Sequence, residues 1–365
     1  MTARKLPASA EGICEAARAL RGGRLVAFPT ETVYGLGANA FDPRAVALIF
    51  EAKGRPWFDP LIVHVAETSW VDRLCSEVPP PARSLISKFW PGPLTLVLPR
   101  STEVPDVVTA GLSTVAVRMP AHDVALALVR EAGTPVAAPS ANKFGRLSPT
   151  TAEHVMEQLG DAPGLEIVLD GGSTPVGVES TIVKVDPRGS AVALLRPGGL
   201  PLEALEGVVG KVRVATSPSD RPEAPGLTQK HYAPACPVWL VDEGAGVPGV
   251  PSQSAGLAVE REGTTERTRV PPSSCKQGGS AAPTSLRAGY LAFRRRPKRL
   301  PGVVAVEVLS PAGDLREAAA RLFAALHRLE AAGVDVIIAE RVPERGLGRA
   351  IMNRLSRAAG GSSPS

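Results

Sequence analysis

Phe28-Pro29-Thr30-Glu31-Thr32-Val33-Tyr34-Gly35-Leu36-Gly37, followed by Ala52-Lys53-Gly54-Arg55-Pro56, is the stretch on which the reading of this chain turns. The apolar run Arg24-Leu25-Val26-Ala27-Phe28 reads as a strand that delivers three polar side chains, Thr30, Glu31 and Thr32, into a turn. One helix later come two cations separated by a single glycine. Hydroxyls, a carboxylate and paired cations at neighbouring turns suit a pocket that holds a polar small molecule beside a polyphosphate.

Working outward, the 365 residues imply two domains, and 44% hydrophobic residues supply enough apolar surface for real cores. Aromatics are only 4%, so Val, Leu and Ala must do most of the packing. The net charge of +5 is compatible with phosphate-bearing partners, but an ordinary solvated basic surface explains it equally well. Cys14, Cys75, Cys236 and Cys275 are far apart, without CxxC or Cys/His spacing, which argues against a metal knuckle and for free thiols. The first residues lack the apolar run of a signal peptide, and no stretch approaches the roughly 20 apolar residues of a membrane span, so a cytoplasmic protein without a membrane partner is expected.

Helix-like and strand-like segments alternate over the first ~210 residues, the pattern of an α/β domain. Helices are expected over Glu11 to Leu20, from the cap Asp42-Pro43 to Ala52, over Ser84 to Trp90 and Val124 to Glu131, and from the capping box Thr150-Thr151-Ala152-Glu153 to Leu159. Strands are expected over Leu61–Val65, Leu94–Leu98, Thr114–Arg118, Pro135–Ala138, Ile167–Leu169, Ser180–Val185 and Val192–Arg196. The domain is placed at 1–212, a linker with the island Lys230-His231-Tyr232-Ala233-Pro234 at 213–236, a smaller α/β unit at 237–355 and a disordered tail at 356–365. Within the second unit, Val303–Val308, a helix capped by Asp314 and Val334–Ala339 form a β-α-β unit with parallel strands, after a flexible insertion at 244–283.

Each candidate site residue also has an ordinary structural reading. Lys53-Gly54-Arg55 suits a helix C-terminus, and His64 suits a satisfied core position. Ser140 and Asn142 suit a turn, and Arg196-Pro197-Gly198 an exit from a strand. Together they lie where strands of an α/β sheet end, where ligands gather.

The set as a whole resembles the two-domain threonylcarbamoyl-AMP synthase family, with an N-terminal YrdC-like domain. The matching stretches include Phe28–Gly37, Ala52–Pro56, Pro60–His64, Lys88–Thr95, Val117–Pro120, Ala138–Asn142, Val178–Ile182, Arg196–Gly198, His231–Pro234 and Gly346–Leu355. The resemblance implies a twisted α/β catalytic domain with a smaller Rossmann-like α/β C-terminal domain. It implies that L-threonine, bicarbonate and ATP become threonylcarbamoyl-AMP and pyrophosphate, which downstream transfer proteins use to modify tRNA next to the anticodon. By resemblance, Lys53, Arg55, Ser140 and Asn142 form the catalytic K-x-R…S-x-N signature. Thr32, His64, Arg118, Ala138 and Thr181 surround threonine, while Arg55, Asp59, Thr114, Ser140, Ser148, Arg196 and Tyr232 take ATP. Mg2+ enters with the nucleotide and is assigned no direct protein ligand. Asp59 stands where relatives often carry Asn or His, and Leu227–Lys230 is less basic than is common there.

Two other functions compete. A carbamoyl-adenylate-forming maturation factor would carry zinc-finger-like cysteine spacing, which is absent here. A tRNA- or RNA-binding module is favoured only by the basic charge and by Arg294-Arg295-Arg296-Pro297-Lys298-Arg299.

Overall fold

The computed structural model describes residues 2–215, 223–226, 232–244, 286–296 and 302–360. Its strands are β1 (Arg4–Pro7), β2 (Leu25–Phe28), β3 (Gly35–Asn39), β4 (Ile62–His64), β5 (Leu94–Pro99), β6 (Thr114–Arg118), β7 (Val136–Ala137), β8 (Leu165–Asp170), β9 (Thr181–Val185), β10 (Val192–Arg196), β11 (Arg213–Val214), β12 (Val238–Val241), β13 (Ala288–Ala292), β14 (Val303–Val308) and β15 (Val336–Glu340). The α-helices are α1 (Ala10–Arg21), α2 (Pro43–Lys53), α3 (Val71–Leu74), α4 (Pro80–Phe89), α5 (Asp106–Thr109), α6 (Asp123–Ala132), α7 (Ala152–Leu159), α8 (Leu202–Val209), α9 (Leu315–Ala331) and α10 (Gly348–Ala358).

The first eleven strands form one mixed sheet in the order β1-β8-β2-β3-β7-β4-β6-β5-β9-β10-β11. The last four form a second sheet, β12-β15-β13-β14, parallel throughout. The expected β-α-β unit is present, but β13 lies between its two strands. On α9 the helical spacing of Leu315, Ala319, Leu322, Leu326 and Leu329 predicts one apolar stripe, and all of them are buried except Leu315, which is half-buried at the start of the helix.

Local chemistry sets the helix ends. Ser9 caps α1 by accepting from Gly12 N, and Asp42 caps α2 by accepting from Arg44 N and Ala45 N. Gly54 ends α2 in the left-handed region at φ 62°, which aims Arg55 out of the helix line. Several boundaries differ from expectation. α4 starts at Pro80 rather than Ser84, because proline fits a first helical turn whose amides need no partner. Thr151, not Thr150, caps α7 and accepts from His154 N, while Glu153 pairs with Lys5 at 2.7 Å, so the capping box is not formed. Part of the expected linker, Arg213–Val214, is the edge strand β11, and α10 extends past residue 355 to Ala358. The 244–283 insertion beyond Gly244, His231, Leu227–Lys230 and the tail from 361 lie outside the described residues.

Strand alternation gives the large sheet two distinct faces. One is covered along its length by the main core, which includes Leu36, Val63, Leu96, Val117 and Val183. The other is covered over β8, β2 and β7 by α1 and α6, whose Ala16, Leu20, Leu128 and Val129 pack on Val26, Phe28, Val136 and Ile167. Over β4, β6, β5 and β9 that cover stops. There Ile62, Ala116, Val97 and Ile182 meet Ala224 instead. The gap between the two coverings is where the candidate site lies.

Candidate active site

β2 and β3 form a hairpin in which Val26 faces Gly37 and Phe28 faces Gly35. The ring of Phe28 lies over both glycines. A Cβ on Gly37 would come within 2.8 Å of that ring and of Val136, which explains glycine there. In the connecting loop the Thr30 hydroxyl accepts from Thr32 N and Val33 N and donates to Val33 O. That knot fixes Thr32 toward the gap in the sheet cover.

A cavity of about 40 Å³ occupies this gap. Two groups of contacting side chains stand out in its lining: Arg118 with Thr32, beside which His64 and Ala138 also line it, and Arg196 with Ser180 and Tyr232, beside which Arg55, Ser140 and Glu179 also line it. Its place is where strands end, as the sequence suggests: His64 closes β4 level with Arg118, which closes the parallel β6, Arg196 closes β10, and Ala138 and Ser140 follow β7. Its roof is the loop residues Pro225, Gly226 and Tyr232.

In the first group, Arg118 is 4% exposed and already engaged. Its Nη1 donates to Thr32 Oγ1 at 3.0 Å, and its Nη2 lies 2.6 Å from Glu31 Oε2. Burial, with Arg118 beside it, pulls His64 down to about 3, so the imidazole is neutral at pH 7. In the second group, Arg55 donates from Nε to Asp59 O and from Nη2 to Pro60 O. The Asp59 carboxylate lies 3.0 Å from Nη2 but off hydrogen-bond alignment, leaving both of its oxygens without a hydrogen-bond partner. Burial raises Asp59, an effect opposed by Arg55 and Lys53. Arg196 donates to Ser180 O at 2.9 Å and to Tyr232 Oη at 3.3 Å.

Of the residues singled out from sequence, Thr32, Arg55, His64, Arg118, Ala138, Ser140, Arg196 and Tyr232 line this single cavity. Six others do not. Lys53 is 2% exposed, and its ammonium donates to Ser140 O and Asn142 O, binding the end of α2 to the Ser140–Asn142 corner. Burial, with Arg55 beside it, lowers Lys53 well below its ordinary value. Asn142 donates to Lys143 O and Arg146 O and so holds its own turn. Thr181 both donates to Leu200 O and accepts from Leu200 N. Ser148 donates to Glu179, and Asp59 lies behind Arg55. Thr114 opens β6, four residues before Arg118 and about 13 Å along the strand.

The sequence reading missed Thr30, Glu179 and Ser180. For Ser180 the signal was present: alternation places it on the face of Ile182, opposite Thr181. Among the described residues no three His, Cys, Asp or Glu side chains converge as a metal cage.

Comparison with known proteins adds an independent line. Residues 18–198 match the Sua5/YciO/YrdC family model, described as telomere recombination, and residues 200–360 match the model described as threonylcarbamoyl-AMP synthase, C-terminal domain. A threonylcarbamoyl-AMP synthase of Pyrococcus abyssi is 44% identical over 94% of this chain and 93% of its own length. One from Bacillus subtilis is 43% identical over 96% and 93%. The crystal structure of Pyrococcus abyssi Sua5 complexed with L-threonine is similar with a TM-score of 0.79 and 41% identity, covering 98% of this chain and 97% of that one.

Proposed function

This chain belongs to the threonylcarbamoyl-AMP synthase family, and from that premise we propose how its cavity divides the work. The reaction joins L-threonine, bicarbonate and ATP into L-threonylcarbamoyl-AMP with release of pyrophosphate, the first step of threonylcarbamoyladenosine formation in tRNA. Threonine takes the Thr32–His64–Arg118 side, and the nucleotide takes the Arg55–Ser140–Arg196 side. What supports this division is one cavity lined by three guanidiniums in different company: Arg118 bonded to Thr32, with a neutral imidazole also in the lining, and Arg196 bonded to Tyr232, with Arg55 also in the lining.

The chemistry explains the pattern. A carbamate must attack the α-phosphate, so two anions have to approach. Fixed cations in a site closed to water lower that barrier by positioning and preorganised electrostatics. Arg118 takes the threonine carboxylate by exchanging it for Glu31, and its planar fork suits that exchange. Neutral His64 accepts a hydrogen bond from the substrate without adding charge. Ser180 replaces Thr181 as the hydroxyl that faces the ligand. Lys53 acts by holding the Ser140 corner rather than by touching phosphate. Mg2+ would arrive bound to the ATP phosphates and offset their charge there.

A cavity of about 40 Å³ is far below the roughly 300–1,000 Å³ of ligand pockets, so the roof must lift to admit ATP. Pyrophosphate release measured with threonine, bicarbonate or Mg2+ omitted in turn tests the whole reading. Full dependence on threonine and bicarbonate is expected; ATP breakdown indifferent to threonine would remove it.

A further inference from the structure

The cavity wall holds a carboxylate, Glu179, and the cation that faces it comes from the other domain. Arg354, in the middle of α10, is only 1% exposed. Its Nε donates to Glu179 Oε2 at 2.8 Å and its Nη1 donates to Pro197 O, one residue beyond Arg196. Burial alone would push Glu179 up, but Arg354, Arg196 and the Ser148 hydroxyl outweigh it and leave the group ionised.

The same guanidinium lies over the ring of Tyr232, 5.0 Å from its centroid. Phe323 of α9 tilts against that ring at 5.9 Å, and Arg196 reaches its hydroxyl. Tyr232 also stands at φ 61°, a left-handed conformation that a tyrosine keeps only when its surroundings enforce it. The C-terminal domain supplies Arg354 and Phe323 among the groups that enforce it.

Given the nucleotide assignment above, we propose that Arg354 is a positioning residue of the active site: it fixes Glu179 in the wall and clamps Tyr232 as the roof, so that docking of the C-terminal domain closes the nucleotide side. The threonine side, built wholly from the catalytic domain, is independent of it. Arg354 thus acts through two cavity residues without being in the cavity.

The test compares the full-length wild type with R354Q, R354K and E179Q/R354M, reading melting temperature, threonine affinity by calorimetry, and kcat and KM for ATP from pyrophosphate release. R354Q is expected to raise KM for ATP about tenfold, the effect of losing one charge-assisted contact, with threonine affinity unchanged. R354K keeps the charge opposite Glu179 but loses the flat face over Tyr232, so melting recovers while KM stays raised. E179Q/R354M removes the buried pair together and folds even if R354Q does not; it too keeps a raised KM. A folded double variant with wild-type KM for ATP, or an R354K enzyme restored in both readouts, would reduce Arg354 to a structural counter-ion. Failure of the wild type to release pyrophosphate in response to threonine would instead overturn the functional reading.

Discussion

Gly226→Ala perturbs the roof of the cavity and almost nothing else. Gly226 sits at φ 76°, and a Cβ there would lie 2.2 Å from Tyr232 Oη and 2.9 Å from Arg196 Nη1. Real Cβ atoms do not come within 3.0 Å of such neighbours, so the phenol must retreat by most of an ångström. That breaks the 3.3 Å hydrogen bond from Arg196, a charge-assisted contact of about 1.5–3 kcal/mol. The left-handed backbone adds about 1–2 kcal/mol against alanine. If the roof has to close for catalysis, the lost hydrogen bond alone costs the closed state about 10- to 150-fold in population. Threonine affinity should stay within about twofold of wild type, while KM for ATP rises by about tenfold or more and more ATP is consumed per threonylcarbamoyl-AMP recovered. Isothermal titration with threonine and quenched single-turnover analysis of the product measure the two sides separately. Wild-type KM and yield in G226A would refute the roof argument, and an equal loss on the threonine side would show that the loop does not act on the nucleotide side alone.

Lys53→Met should lower kcat by about 100-fold through displacement of the Ser140 corner. Its melting temperature should move by only a few degrees, because Ser140 O keeps its bond from Asn142 N, and the loss at Asn142 O, at about 1–3 kcal/mol, is offset by the removal of a desolvated ammonium. Unchanged kcat would mean that the corner holds without this lysine. A pH effect is expected where His154 of α7 stacks on His327 of α9, ring centroids 3.8 Å apart. Burial depresses both imidazoles to about 4, while the unfolded chain takes up protons near the ordinary 6.5. Their neutral-state stability is complete above about pH 6.5 and is lost as pH falls toward 4. Melting curves across that window should show a decline that H154F/H327F flattens; an equal decline in the double variant would place the titration elsewhere.

Much of the fold was legible because it depends on local signals. Asp42-Pro43 and Gly54 bracket α2, and the α9 stripe from Ala319 on is buried as spaced. The strand β3 was hidden because Gly35-Leu36-Gly37 has the composition of a turn, and only the overlying Phe28 ring explains it as a strand. α4 was read short because its opening prolines look like a break. The site residues were legible as a set but not by role. Lys53, Asn142 and Thr181 have the right chemistry, yet backbone carbonyls take their donors: those of Asn142 lie in its own turn, while those of Lys53 and Thr181 are brought near by tertiary structure. Glu179 could not be weighed because its partner, Arg354, lies 175 positions away.

Val33, Leu147, Val178 and Tyr232 belong to the same apolar cluster as Leu322, Phe323, Ile351 and Leu355. The two halves are thus welded through a common interior and cannot behave as beads on a string. Pulling them apart would wet both surfaces at once and strip the ceiling from the reaction chamber.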